Sequence, residues 1–201
     1  MRQANPRERM IQSALVLMGE KGVEATSFSQ VIEHSGAPRG SIYHHFPGGK
    51  AQLVAEATRY AGDMVADLAA AQVDMDDPLA GLKSIYAFWR GVLDSTDFAA
   101  GCPVLAASLE SRGLPGTREA VCDSFRRFQD VHFQLLLRAG VPEGRARSLA
   151  ATAVSAVEGA IILSRAERST LPLEQVLEEL TALFSQAVDQ ANTRQVTEAI
   201  Q

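Results

Sequence analysis

The sequence predicts an all-α protein with about nine helices. Hydrophobic residues recur at the helical period of 3.6 throughout the chain of 201 residues. Strand signals are nearly absent, because no Asn-Gly or Asp-Gly turn occurs and polar and apolar residues rarely alternate. Hydrophobic residues make up 46% of the chain, which is enough for a buried core and argues against disorder.

The first helix has recognisable start and stop signals. Asn5 and Pro6 are an N-cap and a first-turn proline, and Glu8 places an acid in the first turn. Apolar residues then share one face until Gly22. We therefore predict one helix from Pro6 to just before Gly22.

Two short helices follow. Ser27 and a glutamine three residues later form a capping box, which predicts a helix from Phe28 to Ser35 closed by Gly36. The next helix is predicted from Pro38 or Arg39 to Phe46. Two short helices joined by a tight glycine turn indicate a helix-turn-helix.

The rest of the chain continues as helices. A long fourth helix is predicted from Lys50 to about Val73. Proline and glycine residues then mark five more, at roughly residues 78–96, 102–112, 116–139, 142–168 and 172–192, with a polar tail at the end. We divide the chain into a helix-turn-helix domain, residues 1–60, and a larger helical domain, residues 61–201.

Charge is distributed unevenly along the chain. The net charge is −5, but residues 1–60 carry seven Lys and Arg against five Asp and Glu. The remaining residues carry twelve bases against nineteen acids. The N-terminal segment is therefore the favoured partner of a polyanion such as DNA.

Several functional classes are disfavoured. Cys102 and Cys122 are too few for a disulfide scaffold and lack zinc-finger spacing, so we expect no metal and no cofactor. Apolar runs are short and no signal peptide is recognisable, so we expect a cytoplasmic protein without a membrane partner. No nucleophile–base–orienter set is evident, and an all-α enzyme using Cys102 or His132 is only a distant alternative.

The helix-turn-helix segment carries the candidate DNA contacts. In this motif the N-terminal residues of the second helix face the base edges, while helix starts favour phosphate. We predict DNA contacts from Thr26, Ser27, Arg39, Gly40, Ser41, Tyr43, His44, His45 and Lys50. Alternatives are a packed Tyr43, a solvated Arg39 and a metal-binding His44–His45 pair, the last disfavoured because no third ligand is near.

These residues also carry a family resemblance. Gly40-Ser41-Ile42-Tyr43-His44-His45-Phe46 and the following Lys50 resemble the signature of TetR-family transcriptional regulators. The Pro47-Gly48-Gly49-Lys50 loop, Gly101-Cys102-Pro103 and Glu158-Gly159-Ala160 resemble the branch named after LmrA and YxaF. The resemblance implies a dimeric, all-α repressor that a small ligand releases from DNA. Pro38 departs from the family pattern, because many members have a capping Ser or Thr there.

The resemblance also implies an effector cavity among the middle helices. Apolar and aromatic walls suit a small hydrophobic effector, aromatic compounds included, and His132 or Glu158 would orient it. The candidate lining residues are Phe88, Trp89, Cys102, Leu105, Phe125, Phe128, His132 and Glu158. The alternatives are an ordinary hydrophobic core and a structural Glu158 that holds Arg165 or an adjacent subunit.

The last two long helices are the predicted dimer interface. Small residues permit close helix approach, and the final helix carries a wide apolar stripe. The small residues are Ala150, Ala153, Gly159 and Ala160, and the stripe is Leu173, Val176, Leu177, Leu180, Leu183, Phe184 and Val188. The alternative is that the stripe packs inside one subunit. The sequence thus predicts a ligand-responsive regulator, here expected to be a repressor, that binds a palindromic operator on double-stranded DNA as a homodimer; a constitutive DNA-binding dimer is the main alternative.

Overall fold

The structure, a computed structural model, describes residues 5–70, 79–110 and 112–200. These residues form nine α-helices and no β-strand, which confirms the all-α prediction. The helices are α1 Pro6–Lys21, α2 Phe28–Ser35, α3 Ser41–His45, α4 Gly49–Ala70, α5 Ala80–Ser95, α6 Pro103–Glu110, α7 Thr117–Arg138, α8 Glu143–Glu167 and α9 Leu171–Ile200.

The caps of the first two helices agree with the sequence signals. The Asn5 side chain accepts a hydrogen bond from the Glu8 N–H at 2.9 Å. Ser27 and Gln30 form both bonds of the capping box. Gly36 ends α2 with φ 63°, the left-handed conformation that glycine adopts without strain. Local sequence therefore determines where α1 and α2 begin and end.

Helix α3 is shorter than predicted. Residues 38–40 form a turn, in which the Ser41 N–H donates to the Pro38 carbonyl at 2.9 Å and the Ser41 hydroxyl donates to the same oxygen at 2.7 Å. This three-residue spacing differs from the four-residue spacing of an α-helix. The predicted start at Pro38 or Arg39 was therefore wrong by two or three residues.

The later helices lie within a few residues of their predicted bounds, with one clear exception. The predicted polar tail is helical, because α9 continues to Ile200. No glycine or proline occurs after Pro172, so nothing in the sequence interrupts the helix. The predicted end of α4 at Val73 and the predicted start of α5 at residue 78 lie outside the described residues.

The chain forms two compact units. One contains Met1–Met64 and Ala99–Phe125, and within it α1 packs against α2, α3 and α6. The other contains Val65–Phe98 and Arg126–Gln201, and within it α5, α8 and α9 pack together. The functional division at residue 60 remains a prediction.

One described helix is long and apolar enough to cross a membrane. An 18-residue window of α8 has a mean hydropathy of 1.4, and 39% of that window is buried. A core helix of a globular protein meets the same criterion, so this composition is weak evidence for a membrane span.

Candidate DNA interface and effector cavity

Helix α3 has an apolar inner face and a polar outer face. Ile42 and Phe46 are fully buried, four residues apart, as the sequence predicts. Tyr43 is 69% exposed. The residues Arg39, Gly40 and His44 are exposed as well. The structure therefore presents the N-terminal end of α3 to solvent, the orientation that contact with a DNA groove requires.

Phe28 supports the exposed Tyr43, and this role was not predicted from the sequence. The two rings meet edge to face, with centroids 5.6 Å apart and planes at 72°. Phe28 opens α2 and Tyr43 lies on α3, so only the fold of the two helices brings them together. No local sequence signal marks this pair. The contact restricts the orientation of the tyrosine ring.

Ser27 and Thr26, at the N-terminus of α2, differ in their exposure and in their hydrogen bonds. Ser27 is exposed, and its Oγ accepts from the Gln30 N–H at 3.3 Å. Thr26 is 3% exposed, and its hydroxyl donates to the Gly22 carbonyl at 2.8 Å. The predicted contact between the Thr26 side chain and DNA has no support here, because this hydroxyl is buried and already bonded.

Lys50 lies in the first turn of α4, as the sequence predicts. Its Nζ donates to the Glu24 carbonyl at 3.0 Å. An ammonium group has three donors, so this bond leaves capacity for a phosphate oxygen. Lys50 therefore holds the α1–α2 loop whether or not it contacts DNA.

The neighbouring histidines show no metal-site arrangement. The rings of His44 and His45 meet edge to face, with centroids 5.4 Å apart and planes at 63°. Across residues 5–70, 79–110 and 112–200, no group of three or more His, Cys, Asp or Glu side chains is placed to hold a metal ion.

A small cavity lies between α5, α7 and α8. It brings together four of the predicted effector residues, Trp89, Phe128, His132 and Glu158. The other lining residues were not predicted from the sequence, and they are Ile85, Val154 and Val157. Its volume is about 20 Å³, which is room for about one water molecule. Any effector larger than a water molecule would have to move these helices apart.

The other four predicted effector residues do not line this cavity. Phe88 packs edge to face against Trp89 at a centroid distance of 5.2 Å. Cys102, Leu105 and Phe125 belong to the compact unit that contains α1. Cys102 is buried, as expected for a small apolar residue.

His132 is a buried titratable group in the lining of the cavity. It is 2% exposed, and burial lowers its pKa to about 4. Its Nδ1 has no hydrogen-bond partner among the described residues, and its ring meets that of Phe184 edge to face with centroids 6.0 Å apart. The imidazole is therefore neutral at physiological pH, with an unsatisfied buried nitrogen that a bound molecule can pair with.

An exposed α3 supported by α1 and α2, followed by a larger set of helices, defines a helix-turn-helix regulator of transcription. Residues 10–57 match the model of bacterial regulatory proteins of the TetR family. Residues 78–179 match the C-terminal domain of LmrA/YxaF-like transcriptional regulators. The chain belongs to the TetR family, in its LmrA/YxaF-like branch, as the sequence motifs predict.

Individual relatives agree with this assignment. The chain is 43% identical to the uncharacterized HTH-type transcriptional regulator Rv0196 of Mycobacterium tuberculosis, over 89% of this chain and 94% of that protein. It is 32% identical to the HTH-type transcriptional regulator LmrA of Bacillus subtilis, over 83% and 90%. These are regulators and not enzymes, which confirms the prediction against catalysis.

A solved structure shows the same fold. The TetR transcriptional regulator of Legionella pneumophila aligns with a TM-score of 0.80, over 91% of this chain and 99% of that one, at 20% identity.

Proposed function

We propose that the protein binds a palindromic operator on double-stranded DNA as a homodimer, with α3 of each subunit in the major groove. The observation that carries this proposal is the outer face of α3, where Tyr43 and His44 are exposed opposite the buried Ile42. Arg39 is exposed in the turn just before α3. Such a helix presents hydrogen-bonding side chains from a rigid base. As a DNA-binding regulator, the protein acts in the cytoplasm.

The proposed DNA contacts are of two kinds, those with base edges and those with phosphates. Arg39 and His44 are assigned to base edges, and Gly40 to close approach of the backbone. The phosphate contacts are assigned to Ser27, Ser41, Tyr43, His45 and Lys50. Thr26, being buried, is assigned to the loop that supports α2.

A small hydrophobic effector, with aromatic compounds among the candidates, releases the operator by opening the cavity around His132. The unsatisfied Nδ1 of His132 and the aromatic walls support this assignment. The effector needs only to bind the opened form better, and a typical coupling of about 1–3 kcal/mol lowers operator affinity roughly 5- to 150-fold. The expected sense is repression.

The dimer interface is assigned to α8 and α9. Ile162, Leu163 and Leu171 are each 51% exposed, which leaves an apolar surface on these helices. Part of the predicted interface faces inward instead, because Leu173 and Phe184 are buried inside the subunit. The half-buried members of the stripe, Val176, Leu177, Leu183 and Val188, remain assigned to the interface together with this exposed surface.

The small residues of α8 also fall into two groups, those buried inside the subunit and one with open space beside it. Ala150, Ala153 and Ala160 are buried within the subunit, where they allow close packing of its own helices. A Cβ built on Gly159 would meet nothing within 4 Å. Of the predicted set, Gly159 is thus the residue with room for a second subunit.

Selection from a random double-stranded DNA library tests the proposal. The wild type should enrich a palindromic motif, and Arg39→Ala should lose preference at one position of each half-site, with a cost of about 1–3 kcal/mol. Arg118→Ala, which removes an exposed arginine of α7, is the control for net charge. Failure of the wild type to enrich any motif would contradict the proposed function.

Compounds are then tested against the selected operator. A hydrophobic aromatic panel is added to the protein–operator complex, and the affinity is measured for the wild type and for His132→Leu. A compound that releases the wild type but not the variant supports the cavity. If no compound shifts the affinity, and native mass spectrometry finds no bound molecule, the constitutive dimer is the better description.

A further inference from the structure

The last residue of α6 holds the α1–α2 loop. The Glu24 N–H donates to Oε2 of Glu110 at 2.7 Å, across 86 residues of sequence. The carboxylate lies against Gly22, where a Cβ would clash with both carboxylate oxygens of Glu110. Gly22 also has φ +84°, a conformation that other residues rarely adopt. The glycine therefore provides both the turn and the space for the carboxylate.

The same loop residue is held from a second side. The Glu24 carbonyl accepts from Nζ of Lys50, so both backbone polar groups of Glu24 are bonded to side chains of distant elements. The Thr26 hydroxyl closes the loop on the Gly22 carbonyl. Ser27, the N-cap of α2, follows directly. The position of the α2 N-terminus thus depends on these side-chain bonds.

Helix α6 is itself anchored on α1. The Gly101 N–H donates to the Gly19 carbonyl at 2.9 Å, just before α6 begins. A Cβ on Gly19 would lie 2.7 Å from the Gly101 oxygen, so the two backbones meet where no side chain fits. The segment is therefore fixed at one end by backbone contact and reaches the α1–α2 loop with Glu110 at the other.

We propose that Glu110 is a positioning residue for DNA binding. Its carboxylate holds the α1–α2 loop, and through it the start of α2, where Ser27 is exposed and Phe28 supports Tyr43. A shift of α6 by about 1 Å along this 2.7 Å bond lengthens it beyond hydrogen-bond range and detaches the Glu24 amide from α6. The inference rests on the proposed DNA contacts of α2 and α3 and adds a control point outside residues 1–60.

Operator affinity of three full-length variants tests this role. Glu110→Ala should bind the selected operator about tenfold more weakly, since the loop amide loses its acceptor. Glu110→Gln should retain most of the affinity, because its amide oxygen can accept the same bond. Both variants lose one negative charge. The difference in operator affinity between Glu110→Ala and Glu110→Gln therefore reports the loss of the hydrogen bond and not a change in the charge attraction between protein and DNA. Glu119→Ala, at an exposed position of α7, should bind no more weakly than the wild type.

Amide hydrogen exchange provides a readout that needs no operator. Exchange at residues 22–30 should be faster in Glu110→Ala than in the wild type or Glu110→Gln, with thermal unfolding checking that all three are folded. Equal exchange, or equal operator affinity of Glu110→Ala and Glu110→Gln, would overturn the inference. If instead the wild type selects no DNA, the proposed function fails while the exchange data still decide whether Glu110 holds the loop.

Discussion

Tyr43 is a large side chain with its ring supported on one side and its hydroxyl free to reach DNA. The ring contacts Phe28, and 69% of the residue is exposed. A phenol hydroxyl can donate to a phosphate oxygen, which fixes register without reading sequence. The residue therefore combines an observed packing contact with the proposed phosphate contact, and two substitutions separate these roles.

Tyr43→Phe keeps the ring on Phe28 but removes the hydroxyl. We expect operator affinity to fall by about 1 kcal/mol, or roughly fivefold, and Tyr43→Ala to fall further. Fluorescence anisotropy with the selected operator measures both. Wild-type affinity for Tyr43→Phe would contradict a phosphate contact and leave only the packing role.

His132 makes stability depend on pH. Burial lowers its pKa from 6.5 to about 4, so the folded protein keeps the ring neutral while the unfolded chain protonates below pH 6.5. The stability gained by keeping this ring neutral is fully present above pH 6.5, and the free energy of unfolding decreases as the pH falls from 6.5 towards 4. The shift corresponds to about 3 kcal/mol across that range.

Urea unfolding at pH 7 and pH 4.5 measures this contribution. His132→Leu should lose less stability between the two pH values than the wild type, because the titrating group is gone. His44→Ala, which removes an exposed histidine outside the cavity, is the control for the loss of a histidine as such. An equal pH response of wild type and His132→Leu would contradict a neutral buried imidazole.

At the scale of elements, α4 and α7 meet at a glycine. The Ser124 hydroxyl donates to the Thr58 carbonyl at 3.0 Å, and a Cβ on Gly62 would lie 2.5 Å from the Ser124 Oγ and 3.0 Å from its Cα. A helix-interior glycine costs about 0.5–1 kcal/mol relative to alanine. The close approach of the two helices is the reason for glycine at this position.

Gly62→Ala should therefore destabilise the protein by about 1–3 kcal/mol through overpacking. Gly91→Ala is the matched control, because it also lies inside a helix but its Cβ would meet nothing within 4 Å. We expect the control to be neutral or to stabilise by up to about 1 kcal/mol. Thermal unfolding compares the two, and a neutral Gly62→Ala would show that α7 can move away without cost.

At the scale of the whole molecule, the exposed apolar surface of α8 and α9 is the proposed dimer interface. Leu163→Arg places a charge on this surface, so we expect sedimentation velocity to show a dimer for the wild type and monomers for the variant. Operator affinity should fall with it, because two linked half-sites bind together. Leu109→Arg is the control at a 75% exposed leucine on α6. A dimeric Leu163→Arg variant would place the interface elsewhere.

Much of this molecule follows from local sequence. The caps at Asn5, Ser27 and Gly36 set the ends of α1 and α2, because a cap is a hydrogen bond or a backbone conformation within a few residues. The inner and outer faces of α3 follow from helical spacing alone. The same few residues carry the family signature, so the class of protein could be predicted without a structure.

Only the tertiary structure decided the contacts between distant elements. It paired Phe28 with Tyr43, buried Thr26, joined Glu110 to Glu24 and selected which predicted residues line the cavity. It also showed that part of the apolar stripe of α9 is buried in the core of one subunit. The physical reason is that helical periodicity states which residues share a face, whereas the partner of that face depends on how helices far apart in sequence pack.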